Sequence, residues 1–301
     1  MGSKIEVIPI TSRSQWLSER RRDVTASDIG ALFGCHPYRT LAQVWGEKHR
    51  AAESRGDLPA MRRGRVMEPA VAEAVREAHP DWHINKAHSY LRRSEWRLGC
   101  TPDYYLEPEG ADLDLPMILQ CKTVSPEKWQ DWNEQPPLAY TLQTLTEALV
   151  CDAPSAKLAI LVMNRALDLH IFDVPRHEAA EARIITATAD FWALTEPPTG
   201  WQHDADAVAA LFPKDNGKEI DLSADNALPE LLQERAVLKA QMSEAEKRCE
   251  VIETEVKAKI GDAAKAMLRD WRITYKSQHR AEKLMPAADF RVLRIVRNKD
   301  E

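Results

Sequence analysis

Two polar residues interrupt an otherwise apolar segment near the middle of the chain. Gln120 and Lys122 lie within Met117–Val124, where the remaining residues are mostly apolar. If this segment is a buried strand, the alternation of side chains puts Gln120 and Lys122 on the same face. A buried ammonium group without a partner is energetically costly. The pattern therefore predicts a reason for Lys122 to be there, and a carboxylate–metal site would supply one.

Two carboxylates upstream are candidates for that site. Asp103 follows a proline within Gly99–Tyr104, at an expected turn that leads into a strand. Glu68 lies within Gly64–Pro69, at the expected start of a helix. Each also has an ordinary structural explanation, because carboxylates are common at turns and favourable near helix N-termini. Their order along the chain, ahead of Lys122, is what suggests a shared site.

A cluster near the N-terminus is a candidate for phosphate binding. Arg20–Arg22 are three consecutive arginines, and the Thr25–Ser27 segment can cap a helix that is expected to start near Asp28. Exposed N–H groups at a helix start, a hydroxyl group and nearby guanidinium groups together form a phosphate pocket. The alternative is a solvated helix face, which is the commoner reason for an arginine run.

The sequence around these residues alternates helix and strand patterns, which is typical of an α/β core. Helices are predicted at Ala42–His49, Glu68–Ala78, Ala139–Val150 and Arg176–Leu194. Strands are predicted at Trp96–Cys100, Tyr104–Leu106, Met117–Val124, Lys157–Met163 and Leu167–Val174. The last two strands are expected to form a hairpin around Asn164 and Arg165.

A polar segment at 214–226 predicts a boundary between a core, residues 1–213, and a C-terminal arm, residues 214–301. Beyond it, apolar residues follow a heptad spacing, and we call them the apolar seam: Leu231, Leu238, Met242, Ala245, Cys249, Ile252 and Val256. The spacing predicts a helix over Pro229–Ala264 that is about 50 Å long. This helix either folds back on its own domain or forms an intermolecular coiled coil. Two strands, Trp271–Tyr275 and Phe290–Val296, are expected to pair after it.

The overall charge restricts how the chain can meet nucleic acid. Its 301 residues include 41 Lys+Arg and 47 Asp+Glu, which gives a formal net charge of -6. This excludes a polycation that coats nucleic acid by bulk charge. We predict instead that local basic clusters line a channel, and these clusters are Arg20–Arg22, then Arg62, Arg63 and Arg65, then Arg92 and Arg93, and the arginines and lysines of 269–297.

Composition argues against several other classes of protein. There is no run of 18 or more apolar residues and no signal-peptide pattern, so a cytoplasmic protein without a membrane span is expected. The five cysteines are scattered and include no CxxC pair. A zinc or iron–sulfur site is therefore not expected.

The ordered set of motifs resembles a known nuclease family. Asp103, followed 17 residues later by Gln120-Cys121-Lys122, is similar to the PD-(D/E)XK pattern. Further matching segments are Thr25–Tyr38 (TASDIGALFGCHPY), Gly64–Pro69 (GRVMEP), Tyr140–Gln143 and Phe172–Pro175. Together they closely resemble the YqaJ-like viral recombinases, relatives of phage lambda exonuclease, over about residues 16–198. The tail segments WRITYK and FRVLRI are similar to those of longer members.

The resemblance implies a restriction-endonuclease-like core, in which helices flank a central mixed sheet. It also implies a metal-dependent exonuclease that degrades one strand of a duplex from its 5′ end. Glu68 and Asp103 would bind one or two Mg²⁺ or Mn²⁺ ions, with Gln120 at the third position and the backbone carbonyl of Cys121 completing the shell. Lys122 would orient or deprotonate the attacking water.

The same resemblance implies contacts with DNA and partners. Arg20 and Ser27 match the pocket for a terminal 5′-phosphate, with Thr25 and Trp16 beside them. Gln143 would hydrogen-bond a phosphate or a metal-bound water. The expected partners are double-stranded DNA ends with a 5′-phosphate, a single-strand annealing protein, and further copies of the chain in a ring, with a trimer favoured. The expected setting is a bacterial cell that carries a phage or prophage gene.

Position 120 departs from the family pattern, which has an acid there. Glutamine offers one neutral oxygen and no charge, so only Glu68 and Asp103 would face the divalent ions. We therefore expect weaker metal binding and severely reduced cleavage. Two explanations stay open: Gln120 is a deliberate replacement that traps a DNA complex or aids crystallisation, or it is a natural residue that the site tolerates.

Two other functions stay open as well. A sequence-specific endonuclease with the same core would need a recognition element, and the sequence contains no separate helix-turn-helix or zinc module. A non-catalytic DNA-end-binding or scaffold protein would use the C-terminal arm for assembly, and Gln120 is compatible with that function.

Overall fold

The computed structural model describes residues 4–50, 59–163 and 167–279. The chain divides into two compact units, Met1–Pro213 and Lys214–Glu301. We call them the core unit and the tail unit. The core unit contains two β-sheets and the helices that cover them.

A five-stranded mixed sheet forms the centre of the core unit. Its strands, in order across the sheet, are β3 (Trp82–Lys86), β6 (Tyr104–Pro108), β7 (Met117–Val124), β8 (Ser155–Met163) and β9 (Leu167–Pro175). β7 and β8 run parallel, whereas the other neighbouring pairs are antiparallel. This confirms the predicted mixed α/β fold and both strands of the β8–β9 hairpin. The predicted turn of that hairpin, at Asn164 and Arg165, lies outside the described residues.

A smaller four-stranded sheet carries the N-terminal segment. Its strands, in order, are β1 (Ile5–Pro9), β4 (Ser89–Arg93), β5 (Leu98–Cys100) and β2 (Val24–Thr25). β2 pairs in parallel with β5, with Thr25 opposite Gly99. Since Asp103 follows β5 by three residues, this pairing brings the Thr25–Ser27 segment beside the chain that leads to Asp103.

Helices surround the two sheets. They are α1 (Arg13–Arg22), α2 (Ile29–Leu32), α3 (Leu41–His49), α4 (Pro59–Ala78), α5 (Pro126–Asp131), α6 (Leu138–Cys151), α7 (Glu178–Ala193) and α8 (Ala205–Leu211), with short 3-10 turns at Ala26–Asp28, Ser94–Trp96 and Trp201–His203. The predicted helices over α3, α6 and α7 are thus confirmed to within two residues at each end. The predicted strand Trp96–Cys100 is shorter, because a 3-10 turn and Arg97 with a positive φ of 48° precede β5.

Strand β7 is covered on both of its faces. Val71 and Val75 of α4 share one buried apolar cluster with Leu119 and Cys121. Ile118 belongs to the other cluster, which includes the inward side chains of α6. Because side chains alternate along a strand, Gln120 and Lys122 share the face of Ile118, under α6.

Helix α4 begins at Pro59, nine residues before the predicted start at Glu68. Glu68 therefore lies in the middle of the helix, and its predicted place at a helix N-terminus is wrong. Pro59 is the first residue of the helix, a position where proline is favourable. Pro69 is instead an interior, exposed proline, whose missing N–H removes one bond of the helix. The exposed position gives its ring room on the solvent side.

Gly99 lies where β5 packs closely against a buried tyrosine. A Cβ atom at this position would come within 2.1 Å of Oη of Tyr90. The hydroxyl of Tyr90 donates to Asp23 (2.8 Å), which also accepts from Nε of Arg92 (2.6 Å). Because these bonds hold the tyrosine in place, position 99 requires glycine.

The tail unit contains a long helix and a short hairpin in its described residues. Helix α9 (Leu228–Ile260) ends before the predicted Ala264, because Gly261 follows with a positive φ of 60°. β10 (Lys265–Met267) pairs antiparallel with β11 (Arg272–Thr274). The structure thus contains the predicted strand near Ile273, and its expected partner Phe290–Val296 lies outside the described residues. Neither α9 nor any other described helix is long and apolar enough to cross a membrane.

We predict that Gly99→Ala lowers the free energy of unfolding by about 1–3 kcal/mol, the usual cost of overpacking. Tyr90 would have to move away from Asp23 to make room. Urea denaturation at neutral pH measures the change. The matched control is Gly64→Ala, where nothing lies within 4 Å of the added Cβ in the exposed part of α4. The control should be neutral or stabilise by up to about 1 kcal/mol, and equal stability of both variants would contradict the packing argument.

Candidate active site

The carboxylate of Asp103 contacts β7 at Gln120 and Cys121. Its Oδ2 atom accepts hydrogen bonds from the backbone N–H of Cys121 (2.9 Å) and from Nε2 of Gln120. These residues meet because β6 starts directly after Asp103 and pairs with β7, with Tyr104 opposite Leu119. The structure therefore brings Asp103 to the strand that carries Gln120 and Lys122.

Gln120 contains a buried oxygen atom without a partner. The residue is 3% exposed, and its Oε1 atom has no hydrogen-bond partner among the described residues. Leaving a buried carbonyl oxygen unsatisfied costs about 1–3 kcal/mol. A group of this kind in a folded protein often indicates a place for an ion or a water molecule. Here the atom lies on the side chain that also bonds Asp103.

Lys122 is held by helix α6. Its Nζ donates to Oε1 of Gln143 (3.1 Å) and lies 5.1 Å from the centre of the Tyr140 ring. Nε2 of Gln143 donates in turn to Oε1 of Glu147 (2.9 Å). Because the amide nitrogen of Gln143 is hydrogen-bonded to Glu147, the amide oxygen of Gln143 faces the ammonium group of Lys122. The direct partner of Lys122 is therefore Gln143.

Glu147 is a buried acid that the sequence analysis missed. It is 1% exposed, and its Oε2 atom has no partner in the described part of the chain. Burial, and next the charge of Asp103, raises the pKa of Glu147 to about 8. The sequence did contain a signal, since Glu147 is the single charged residue of α6 and follows Gln143 by four positions.

Glu68 forms an ion pair with Lys86 of β3. The ammonium group of Lys86 also lies 4.7 Å from the centre of the Tyr104 ring. Burial, and then the charge of Glu68, raises the pKa of Asp103 to about 6. The two carboxylates thus act on each other, and the charges of Lys86 and Lys122 balance them.

The oxygen donors around Asp103 fit a divalent cation, although one of the three side chains is neutral. The carboxylates of Glu68 and Asp103, the Oε1 atom of Gln120 and the carbonyl of Cys121 are the hard oxygen ligands that Mg²⁺ prefers. The orphaned Oε1 atom is the observation that supports this fit. Within residues 4–50, 59–163 and 167–279, no group of three or more His, Cys, Asp or Glu side chains is placed to hold a metal. That finding agrees with a neutral residue at position 120.

A second group of polar side chains lies between α1 and the 3-10 turn before α2. Nη2 of Arg20 donates to Oγ of Ser27 (2.9 Å), and that oxygen lies 3.0 Å from Oγ1 of Thr25. The guanidinium of Arg20 lies 4.4 Å from the centre of the Trp16 ring, whose Nε1 donates to Thr101 (3.0 Å). The structure therefore brings together the four residues that were predicted for phosphate binding.

A buried carboxylate, Asp28, supports this group from behind. Its Oδ2 atom accepts from the backbone N–H (3.0 Å) and the hydroxyl (2.7 Å) of Thr25. Arg39 bonds the other oxygen, and Nζ of Lys48 lies 3.0 Å from Oδ2. Burial alone would raise the pKa of Asp28, but Lys48 and Arg39 hold it well below its ordinary value. The predicted helix start near Asp28 is confirmed, because the 3-10 turn Ala26–Asp28 leads directly into α2 at Ile29. Asp28 is a buried anchor at this helix start.

One of the predicted basic clusters is buried. Arg92 and Arg93 are 3% and 5% exposed. Arg92 bonds Asp23 and Glu19, and Nε of Arg93 donates to the carbonyl of Val150 (2.9 Å). The prediction that this cluster lines a DNA channel is therefore wrong. Its charges are used to neutralise buried acids and to bind a helix carbonyl.

The mixed sheet brings Asp103 next to Gln120, on the strand that also carries Lys122. Residues 15–154 match the model of the YqaJ-like viral recombinase domain. A curated relative, the uncharacterized protein YqaJ of Bacillus subtilis (strain 168), is 24% identical over 277 residues, which cover 88% of this chain and 83% of the relative. Residues 15–154 are therefore similar to the YqaJ-like viral recombinase domain, as the motifs predicted.

Several solved exonuclease structures are similar to this chain. An alkaline exonuclease (LHK-Exo) from Laribacter hongkongensis has a TM-score of 0.47 and 15% identity, over 65% of this chain and 94% of that one. Its complex with dAMP has a TM-score of 0.45 with the same identity and coverage. A phage related exonuclease from Haemophilus somnus 129PT has a TM-score of 0.39 and 8% identity, over 56% of this chain and 93% of that one.

We predict that Glu147→Gln flattens the dependence of stability on pH. The pKa of about 8 in the folded protein lies above the ordinary value of 4.5. Unfolding therefore releases a proton, and the free energy of unfolding falls as the pH rises through this interval. Glutamine has no proton to release. Urea denaturation between pH 4.5 and pH 8 in EDTA measures the slope.

The exposed Glu77, on α4, supplies the matched control for this measurement. Glu77→Gln removes one carboxylate of the same type without removing a buried one. Its stability curve should run parallel to that of the unchanged protein. If the curve of Glu147→Gln also ran parallel, Glu147 would be ionised in the folded state and the assignment would be wrong.

Proposed function

We propose that this protein is a metal-dependent 5′-to-3′ exonuclease of double-stranded DNA. It resects DNA ends for recombination by single-strand annealing, and Gln120 leaves it attenuated or inactive. The similarity to the YqaJ-like viral recombinase domain supports a nuclease function in recombination. The observation that carries the proposal is the orphaned, buried Oε1 atom of Gln120, on a side chain that also bonds Asp103.

Each residue of this site has a separate task in the proposal. Glu68, Asp103 and Gln120, with the carbonyl of Cys121, hold one or two Mg²⁺ or Mn²⁺ ions. When bound, divalent ions neutralise the negative charge of phosphodiester cleavage and lower the pKa of the attacking water. Lys122 orients or deprotonates that water, and its position is fixed by the bond to Gln143.

The group at Arg20 holds the 5′-phosphate of the DNA end. Arg20 offers a planar fork that matches phosphate oxygens, and the hydroxyls of Ser27 and Thr25 add two further donors. Trp16 stacks against the guanidinium and keeps it in place. The charge of Arg20 acts on Glu147, which is hydrogen-bonded to Gln143. The phosphate-binding residues around Arg20 and the proposed metal site therefore lie within electrostatic range of each other. One DNA end can then meet both groups.

The proposed partners follow from the same activity. Duplex ends with a 5′-phosphate are the substrate, and a single-strand annealing protein binds the strand that remains. Copies of the chain form a ring, with a trimer favoured, inside the cytoplasm of a bacterial cell that carries a phage or prophage gene. Arg62, Arg63 and Arg65, which are exposed on α4, are candidate contacts with the DNA backbone.

One observation favours a second candidate, a non-catalytic DNA-end-binding protein. Lys86 pairs with Glu68, and Lys122 lies near Asp103, so the site is already neutral without a cation. Gln120 also donates a hydrogen bond to Asp103, which an ionised glutamate would be unable to do. In this form the protein would bind duplex ends and leave them uncut.

We predict that Gln120→Glu raises the rate of digestion of 5′-phosphorylated linear duplex by about 100-fold or more, the usual effect of restoring one charge-stabilising group. The added carboxylate supplies the missing negative charge for a divalent ion. Digestion in Mg²⁺ and in Mn²⁺ measures the rate, and calorimetry measures metal binding. Gln120→Glu combined with Asp103→Asn is the matched control, because it keeps the carboxylate added at position 120 and removes the carboxylate of Asp103.

Each outcome separates the candidate functions. Equal digestion by the unchanged chain and Gln120→Glu would show that position 120 has no such role. Cutting of a closed circular duplex would indicate an endonuclease. Binding of duplex ends without cleavage by Gln120→Glu would support the non-catalytic candidate. If neither protein digested DNA or bound Mg²⁺, the nuclease proposal would fail.

We predict that Arg20→Ala removes the preference for a 5′-phosphate over a 5′-hydroxyl. The loss of a charge-assisted bond should weaken binding of the phosphorylated duplex by about 10- to 100-fold. Fluorescence anisotropy in EDTA compares the two duplexes. Arg21→Ala, an exposed neighbour on α1, is the matched control and should change both affinities equally. An unchanged preference in Arg20→Ala would place the phosphate elsewhere.

A further inference from the structure

The apolar seam of α9 is not buried by the described residues of the tail unit. α9 is 33 residues long, and none of its residues is buried. Leu231, Leu238, Met242 and Ile252 are between 47% and 58% exposed. An apolar line of this length, interrupted by Arg235 alone, is unusual on a free surface and indicates an interaction with another element.

The spacing of the seam specifies the kind of partner. The seam occupies seven of the eight core positions of a heptad repeat between Leu231 and Val256: Met242, Cys249 and Val256 stand at a, and Leu231, Leu238, Ala245 and Ile252 stand at d. Arg235 stands at the remaining a position, where a single polar residue is tolerated at a cost in stability. A seam that repeats every 3.5 residues fits a helix with the same repeat over the same length. A second copy of α9 supplies such a helix.

The charges that flank the seam favour one orientation of that second copy. In a parallel, in-register pair, a residue at g faces the residue at e five positions further along the other helix. Glu234 then faces Lys239 of the second copy, and Arg248 faces Glu253 of the second copy. Both are pairs of opposite charge, and the remaining two g–e pairs each contain an uncharged residue.

An antiparallel arrangement has less favourable charges. With the seam centred between positions 242 and 245, the antiparallel register brings Glu234 of one helix near Glu255 of the other, and Lys239 near Glu246. Two-fold symmetry repeats each contact, so two repulsive contacts offset two attractive ones. In the parallel pair the contacts between two charged g and e residues are all attractive, and the charge pattern therefore favours the parallel direction.

We propose that copies of this chain associate through α9 in a parallel, in-register coiled coil. In this arrangement Cys249, at a core position, lies opposite Cys249 of the second copy. Cys249 is exposed and unpaired in the single chain, whereas Cys100, Cys121 and Cys151 are buried. Helices that all run in one direction are also compatible with the rotational symmetry of a closed ring. The proposal is independent of the nuclease function.

The first experiment uses Cys249 to detect the register. The full chain is treated with diamide, which accepts the two electrons as the thiols join, and is separated on a non-reducing gel. We expect a disulfide-linked pair of chains that Cys249→Ser abolishes. Light scattering of Cys249→Ser under reducing conditions should still give a mass of at least two chains. Assembly without a disulfide through Cys249 would overturn the parallel register.

The second experiment compares seam residues with their immediate neighbours. Leu238→Lys with Ile252→Lys places charge in the seam, and light scattering should then give the mass of one chain. The matched control is Val237→Lys with Val251→Lys, at positions that are equally exposed (47% and 57%) but lie outside the seam. The control should keep the assembled mass. A monomeric unchanged chain, or an assembled seam variant, would overturn the proposal.

A charge exchange tests the contact between the copies. Glu234→Lys should weaken assembly, because it sets Lys239 of the second copy opposite another lysine. Adding Lys239→Glu should restore assembly. Residues five apart do not face each other on one helix, so rescue reports a contact between chains. Absence of both the weakening and the rescue would exclude the parallel pairing.

Discussion

Several donors converge on the buried carboxylate of Asp28, and the N-terminal half of the core depends on this convergence. A charge in the interior is tolerated only when it is paired and hydrogen-bonded. Lys48, whose side chain is fully buried, and Arg39 meet that condition from α3 and the loop before it. The same carboxylate holds Thr25, and Thr25 in turn contacts Ser27. A structural need for neutralisation thus fixes the place where a phosphate is proposed to bind.

The five-stranded sheet was predictable because its signals are local. Met117–Val124 is apolar, bounded and of the right length, and the predicted strand matches β7 at both ends. The order of the motifs along the chain also predicted that Asp103 lies close to that strand. Glu147 and Asp28 were missed because their environments are created by residues that are distant along the chain. Arg92 and Arg93 were misassigned for the same reason, since charge clusters in sequence do not report burial.

The site around Asp103 shows how glutamine and lysine can take the places of an acid and a cation. Gln120 bonds Asp103 through its amide nitrogen, and Lys86 pairs with Glu68. Both contacts reduce the repulsion between carboxylates that a fully acidic site would have. The folded core therefore balances the charge of these carboxylates with its own side chains. Under α6, the bonds between Lys122, Gln143 and Glu147 keep the lysine oriented.

Gln120 also has a consequence at the level of the gene. Glutamine codons, CAA and CAG, differ from glutamate codons, GAA and GAG, in the first base alone. A single transversion therefore converts one side chain into the other, and the two side chains have nearly the same shape. The change would leave the packed volume almost the same and would replace the hydrogen bond to Asp103 with a second negative charge. This chain and its acidic counterpart are therefore one base change apart.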